Sequence, residues 1–274
     1  MTPQEIEKLE IELLLEAVYS RHGYDFRHYA PASLKRRIKH LMAISGLHHV
    51  SEMLPRILHD ELFFDAFLKD MSIVVTEMFR DPKVFLALRE KIVPILKTYP
   101  IFKVWHAGCA TGEEVYAIAI LLTEEGLYGR AQIYATDYNV RSLEIASKGI
   151  YPVDKIKQYT ENHHKAGGKV PFSDYYYAQY GSAKLQESLK EKIVFSHHNL
   201  VSDGVFGEMN LIICRNVLIY FDRELQNRVL NLFYQSLEPL GILCLGTKET
   251  LAFSDVANKF EIVSKDEKIY RKIA

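Results

Sequence analysis

The densest chemistry in the sequence lies in residues 107–114, Ala-Gly-Cys-Ala-Thr-Gly-Glu-Glu. Gly108 and Gly112 allow a sharp backbone turn and the close approach of a ligand. Glu113 and Glu114 then open an apolar pattern at Val115, Ala117, Ile118, Leu121 and Leu122, which reads as a helix. A helix start presents unpaired N–H groups and favours acidic side chains. Further on, the apolar run 133–136 ends in Asp137, an acid able to take both hydroxyls of a ribose. A glycine turn after one strand and an acid ending the next mark a nucleotide-type Rossmann site.

The dinucleotide fingerprint GxGxxG is absent, and so is the phosphate loop GxxxxGK[ST]. Two carboxylates at the helix start would repel a diphosphate. They would tolerate a ligand carrying a cationic sulfonium and an ammonium group, as S-adenosylmethionine does. They would equally serve as plain helix-capping acids, and the turn alone leaves both readings open. In an open α/β sheet the ligand sits beyond the carboxyl ends of the strands. Those ends carry Gly108 to Glu113, Asp137, Asn199-Leu200 and Asn216-Val217. An asparagine offers a donor and an acceptor together, although one at a strand end also makes turns. His197 and His198 are adjacent in a strand and point to opposite faces, so no metal site is expected there.

The elements that must position these groups follow from periodicity. Residues 4–20 read as a helix stopped by Gly23, and Pro31-Ala32-Ser33 opens a second, with Ser33 as its cap. Short helices are expected over 51–58 and 61–71. Residues 72–82 form a β-branched run with a polar break, joined to a helix over 82–96. The α/β alternation begins at Lys103, with strands at 103–107 and 131–136 and helices at 113–125 and 139–147. The stretch 153–191 reads as an irregular insertion with a short helix at 183–190. Strands follow at 193–195, 209–214 and 242–245, with a helix capped by Asp222 reaching Leu237. Residues 260–263 and 268–271 read as a terminal hairpin. The expected fold is therefore α/β, a Rossmann-like methyltransferase sheet with a terminal β-hairpin, preceded by a small all-helical domain. The domain bounds read as 1–71 helical, 72–102 linker and connecting helix, and 103–274 the sheet domain, with an insertion at about 153–192.

The chain has 274 residues and a net charge of −1, with 48% hydrophobic and 25% charged residues. This is the composition of a globular protein. Near-zero charge speaks against bulk nucleic-acid binding. No apolar run reaches the length of a membrane helix, and the acidic amphipathic N-terminus does not read as a signal peptide. Three cysteines without a CxxC pair suit a reducing cytoplasm. The second helix carries Lys35, Arg36 and Arg37, either a solvated face or a docking surface for an acidic partner.

The set VTEMFRDP (75–82), AGCATGEEVY (107–116), ATD (135–137), GIYP (149–152), HNL (198–200), CRNVLIYF (214–221) and LGTKE (245–249) closely resembles the CheR family. These are chemotaxis protein-glutamate O-methyltransferases that use S-adenosylmethionine. The resemblance covers nearly the whole chain, in order. It implies that Thr76, Met78 and Arg80 line the cofactor from the linker. Glu113 would meet its methionine or ribose portion and Asp137 the ribose hydroxyls. Asn199 and Leu200 would lie by the adenine, and Asn216 and Val217 at the methionine end. Arg80 and Tyr220 would stand nearest the transferred methyl. The helix bearing Lys35, Arg36 and Arg37 matches the family's receptor-facing helix.

The resemblance further implies S-adenosylhomocysteine as product, cytoplasmic chemoreceptor domains as partners, and a cytoplasmic monomer with no metal. The departures are Val74 for a frequent Asn, Ala110 for Ser and Val115 for Pro in the turn, and Lys248 for Ser in the late motif. The insertion matches poorly, so no tail-tethering function is carried over. Two other readings use the same site. One is a methyltransferase for a different protein or a small carboxylate. The other is a non-catalytic S-adenosylmethionine-binding signalling module.

Overall fold

The computed structural model describes residues 1–71 and 76–273. The β-branched start of the expected joining run, with Val74, lies outside the described residues. The chain divides into two compact units, residues 1–73 with 219–228, and residues 74–218 with 229–274.

The first unit is helical: α1 (Pro3–His22), α2 (Pro31–Ile44), α3 (Met53–His59) and α4 (Glu61–Met71). A capping box opens α1. The Thr2 hydroxyl accepts the Glu5 N–H at 3.2 Å, and the Glu5 carboxylate accepts the Thr2 N–H at 2.6 Å. α2 begins before Ser33. Pro31 fills its first turn, where a missing N–H costs nothing, and Ala30 stands at the cap without a side-chain bond. Leu14, Val18, Phe26, Ile38, Met53, Ile57 and Phe67 are buried. Residues 219–228 belong to this unit rather than to the sheet, because they pair with residues 28–30. Ala30 N–H donates to the Tyr220 carbonyl at 2.8 Å, Asp222 N–H donates to the His28 carbonyl at 2.9 Å, and Tyr29 bridges Phe221.

The second unit opens with α5 (Pro82–Ala87), a π turn over Leu88–Ile92, and α6 (Val93–Leu96). Pro94 cannot donate to a carbonyl of the preceding turn, which accounts for the widening there. Then come β1 (Phe102–Ala107), α7 (Glu113–Glu124), β2 (Ala131–Asp137), α8 (Val140–Lys148), β3 (Ile150–Pro152), α9 (Ile156–Lys165), β4 (Tyr176–Gln179), β5 (Ser182–Leu185), β6 (Ile193–His197) and β7 (Met209–Cys214). The chain continues through α10 (Arg223–Ser236), whose first residues count with the helical unit, to β8 (Leu237–Leu245), β9 (Phe260–Ser264) and β10 (Ile269–Lys272). The main sheet has seven strands in the order β6-β2-β1-β7-β8-β10-β9. Its first five strands in that order run parallel, and β10 lies antiparallel to both β8 and β9.

β7 is buried along its whole length, as a central parallel strand should be. Its one polar residue, Asn210, is satisfied. Asn210 Oδ1 accepts the Lys103 N–H at 2.8 Å, and its Nδ2 donates to Glu238 at 2.6 Å. The terminal hairpin forms as expected. The expected helix at 183–190 does not form. β4 and β5 make a hairpin across Tyr180 and Gly181, both at positive φ (50° and 74°), and a 3-10 turn follows at Glu187–Leu189. Two consecutive left-handed residues give the hairpin its tight twist-compatible turn. β3 pairs with β5, so the insertion carries a three-stranded antiparallel sheet.

Candidate active site at the carboxyl edge of the sheet

From β1 the chain builds outward through β2 to β6 and then returns to β7 on the other side of β1. The crevice at this reversal lies beyond the ends of β1 and β7, where open α/β sheets bind ligands. At its base Gly108 packs directly against Val217. Gly108 has φ +74°, and a Cβ placed on it would lie 2.6 Å from Val217 Cγ2. Ala110 and Gly112 are also left-handed, at φ 48° and 89°. A Cβ at Gly112 would meet Ala146 Cβ at 2.8 Å, so the turn packs directly on α8. The N–H groups of Gly108 and Cys109 both donate to the Thr136 carbonyl. Tyr151, from β3, donates its hydroxyl to the Thr111 carbonyl at 2.8 Å.

Asp137 ends β2 beside this turn. Its Oδ2 accepts the Ala110 N–H and its Oδ1 the Asn139 N–H, each at 2.9 Å. Burial raises its pKa despite these bonds. Glu113 heads α7, buried, with the Thr111 hydroxyl 2.6 Å from its Oε2. Burial pushes its pKa up to about 7, against the Thr111 bond that lowers it. Asn216 follows β7 at φ 60°, an uncommon conformation for a side-chain-bearing residue. Its N–H donates to Glu249 Oε2 at 3.1 Å, and Gly246 N–H donates to the same oxygen at 2.6 Å. Its buried Oδ1 has no hydrogen-bond partner among the described residues. Strained backbone and an unsatisfied buried acceptor are features that collect at ligand sites.

The remaining residues singled out in the sequence fall as follows. Thr76 and Arg80 are half-buried and Met78 is buried, all in the segment leading into α5. Phe79 and Asp81 there take φ 54° and 56°. Asn199 forms a turn: its Oδ1 accepts the Val201 N–H at 3.0 Å, and Leu200 beside it is buried. In the helical unit, Lys35 pairs with Glu7 at 2.6 Å. Arg37 donates to the Asp70 carbonyl and stands over the Tyr220 ring, with 6.0 Å between guanidinium carbon and ring centroid. Arg36 is exposed. The three cations are therefore not equivalent.

Arg215 and Asp81 carry no role in the sequence reading, and Glu114, read there with Glu113 as a ligand-tolerating or helix-capping acid, turns to Arg215 and His106. Arg215 is buried, with Nη1 3.0 Å from Glu114 Oε2 and Nη2 2.8 Å from Asp81 Oδ2. The same Nη2 donates to the Arg80 carbonyl at 3.2 Å. Burial alone would raise the Glu114 pKa. Arg215, with His106 on its other side, outweighs burial and holds it at about 2. This network ties the start of α7, the end of β7 and the Arg80 turn together. No sequence signal announces it, since its members are far apart in the chain.

A family model described as "CheR methyltransferase, SAM binding domain" matches residues 74–269, and one described as "CheR methyltransferase, all-alpha domain" matches residues 9–72. Cher3 of Pseudomonas putida is 48% identical over 272 residues, covering 99% of this chain and 100% of the relative. A chemotaxis protein methyltransferase of Borreliella burgdorferi is 28% identical, covering 90% and 89%. One from Vibrio parahaemolyticus is 32% identical, covering 72% of each chain. The cofactor of the sheet domain is S-adenosylmethionine, and the residues present fit it. Glu113 and Asp137, beside the glycine turn, are acids suited to a cationic ligand. The cation behind them, Arg215, is already matched by Glu114 and Asp81. Among the described residues no cluster of three or more His, Cys, Asp or Glu could hold a metal, and no helix is long and apolar enough to cross a membrane.

Proposed function

The chain belongs to the CheR methyltransferase family, and from that premise we propose that it methylates glutamate side chains of chemoreceptor cytoplasmic domains. The products are glutamate methyl esters and S-adenosylhomocysteine. The observation that carries this reading is the acidic crevice at the sheet reversal. There the left-handed glycine turn meets the buried acids Glu113 and Asp137 and an Asn216 Oδ1 left without a partner among the described residues. The names of the relatives from Borreliella and Vibrio support the setting in chemotaxis.

When bound, S-adenosylmethionine supplies an electrophilic methyl group on a sulfonium. The acceptor carboxylate is already ionised near neutral pH, so no strong general base is required. A carboxylate oxygen forms the new bond to the methyl carbon, the carbon–sulfur bond breaks, and its electron pair stays on sulfur. The protein's task is alignment and exclusion of water, and alignment alone can supply roughly 7–11 kcal/mol. In this reading Asp137 takes the ribose hydroxyls, and Glu113 the methionine or ribose portion. Asn199 and Leu200 flank the adenine, Gly108 admits the cofactor closely, and Asn216 and Val217 meet the methionine end. Thr76 and Met78 complete the lining. Arg80 steers the acceptor carboxylate, and Tyr220 holds geometry near the methyl group. Lys35, Arg36 and Arg37 face the receptor, with Arg36 the freest to do so. The enzyme works as a cytoplasmic monomer.

The test is transfer of tritiated methyl from S-adenosylmethionine to a purified chemoreceptor cytoplasmic fragment. Carboxyl methyl esters release methanol in mild base. Base-labile label lost on replacing the acceptor glutamates by alanine is the expected result. Base-stable label would assign another acceptor, and cofactor binding with no transfer would assign a signalling module.

A further inference from the structure

The segment that carries Arg80 is held from two sides by the buried side chains of Asn162 and Arg215. On one side is Asn162, in α9 of the insertion. Its Nδ2 donates to the Met78 carbonyl at 3.1 Å, and its Oδ1 accepts Gln158 Nε2 at 2.9 Å. The next residue, His163, sets its ring against Phe79 with centroids 4.9 Å apart. On the other side Arg215 donates to the Arg80 carbonyl at 3.2 Å and to Asp81 Oδ2 at 2.8 Å. Between these anchors the backbone takes two left-handed residues that are not glycine, Phe79 and Asp81. Such a conformation persists only where its surroundings over-determine it.

We propose that Asn162 and Arg215 are positioning residues, clamping the Met78–Asp81 turn so that Arg80 is set for the cofactor site. The insertion is then part of the cofactor site's support. It reaches the site again through Tyr151 on the Thr111 carbonyl. This inference rests on the proposed role of Arg80 at the cofactor, and it adds residues for which the family motifs assign none.

The experiment is calorimetric titration with S-adenosylhomocysteine of Asn162→Ala, Arg80→Ala and the double variant, each first shown to melt cooperatively. Loss of the buried bond to the Met78 carbonyl, with the Gln158 bond that orients it, should weaken binding by Asn162→Ala roughly five- to twentyfold. A residue that acts only through Arg80 has little left to lose once Arg80 is gone. The double variant should therefore bind within about twofold of Arg80→Ala alone. Additive losses would mean a general structural role and overturn the clamp. Full affinity in Asn162→Ala with weakened Arg80→Ala would overturn the clamp alone. Full affinity in Arg80→Ala would instead remove the role of Arg80 on which the clamp rests. If Asn162→Ala does not fold, Asp81→Asn enters the same cycle. It weakens the Arg215 anchor at a partly exposed side chain, and asparagine tolerates the left-handed backbone there.

Discussion

Arg215 and Glu114 form a buried ion pair, Nη1 to Oε2 at 3.0 Å, that links the end of the central strand to the helix following the glycine turn. Removing one member of such a pair costs about 3–5 kcal/mol, and the lower end applies here because Arg215 keeps Asp81. Glu114→Ala should lower unfolding free energy by about that amount in urea titration. The pH dependence follows from the depressed pKa. The pair's contribution is fully present above the ordinary value of 4.5 and is lost as pH falls toward about 2. Wild-type stability should therefore decline between these values, and Glu114→Ala should decline less steeply over the same range. Equal slopes would show that the pair is not what titrates.

Glu113 behaves in the opposite sense. Its folded pKa of about 7 lies above the ordinary value of 4.5, so the buried ionised form is disfavoured in the free protein. Stability linked to this group is fully present below 4.5 and is lost as pH rises through about 7. A cationic ligand beside the carboxyl favours ionisation, so binding should release protons near neutral pH. S-adenosylmethionine affinity should fall as pH drops from 8 to 6, by at most about tenfold per unit. Glu113→Gln should flatten that dependence. Calorimetry in buffers of different ionisation enthalpy reads the proton release directly.

The two glycines of the turn make separable predictions. Gly108→Ala adds a Cβ 2.6 Å from a Val217 methyl at φ +74°. It should cost about 1–3 kcal/mol and weaken S-adenosylhomocysteine binding. Val217→Ala should restore part of the stability, because it removes the clash but not the backbone strain. Gly112→Ala meets Ala146 at Cβ (2.8 Å) and Cα (3.1 Å) and should destabilise, with the backbone contact and the strain at φ +89° remaining even in Ala146→Gly. Thermal melts of Gly108→Ala, Gly108→Ala with Val217→Ala, and Gly112→Ala decide between these outcomes.

Glu124, at the far end of the same helix, accepts bonds from Arg89, His163, the Lys169 N–H and the Tyr175 hydroxyl. Burial alone would raise its pKa, and His163, the Lys169 N–H and Arg89 instead bring it to about 2. Three of the four donors belong to the insertion. Glu124→Gln should therefore speed amide hydrogen exchange over residues 163–176 at least tenfold while leaving β1 and β7 protected. Uniform acceleration across the sheet would contradict this local anchoring role.

The parts of the fold written in short-range pattern were legible. The strand, glycine turn and helix over 102–124, and the acid ending β2, follow from periodicity and turn chemistry. What the pattern missed depends on contacts between distant residues. Nothing local to Arg215 shows that it meets Glu114 and Asp81. Nothing near Tyr220 shows that residues 219–222 pair with 28–30. The β4–β5 hairpin was missed because Tyr180-Gly181 lacks the Asn-Gly or Asp-Gly signature, while the following residues suit a helix equally well. The left-handed backbone of Asn216, which exposes a strained site, is set by Glu249 on the loop after β8 and not by its own neighbours.

The most direct measurement is calorimetric titration of the protein with S-adenosylmethionine and S-adenosylhomocysteine, repeated on Asp137→Ala. Micromolar binding of both is expected, abolished in the variant, because Asp137 holds the Ala110 turn and is proposed to take the ribose hydroxyls. Undiminished binding by Asp137→Ala, or no binding by the wild-type chain, would contradict the placement of the site at the carboxyl edge of β1 and β2.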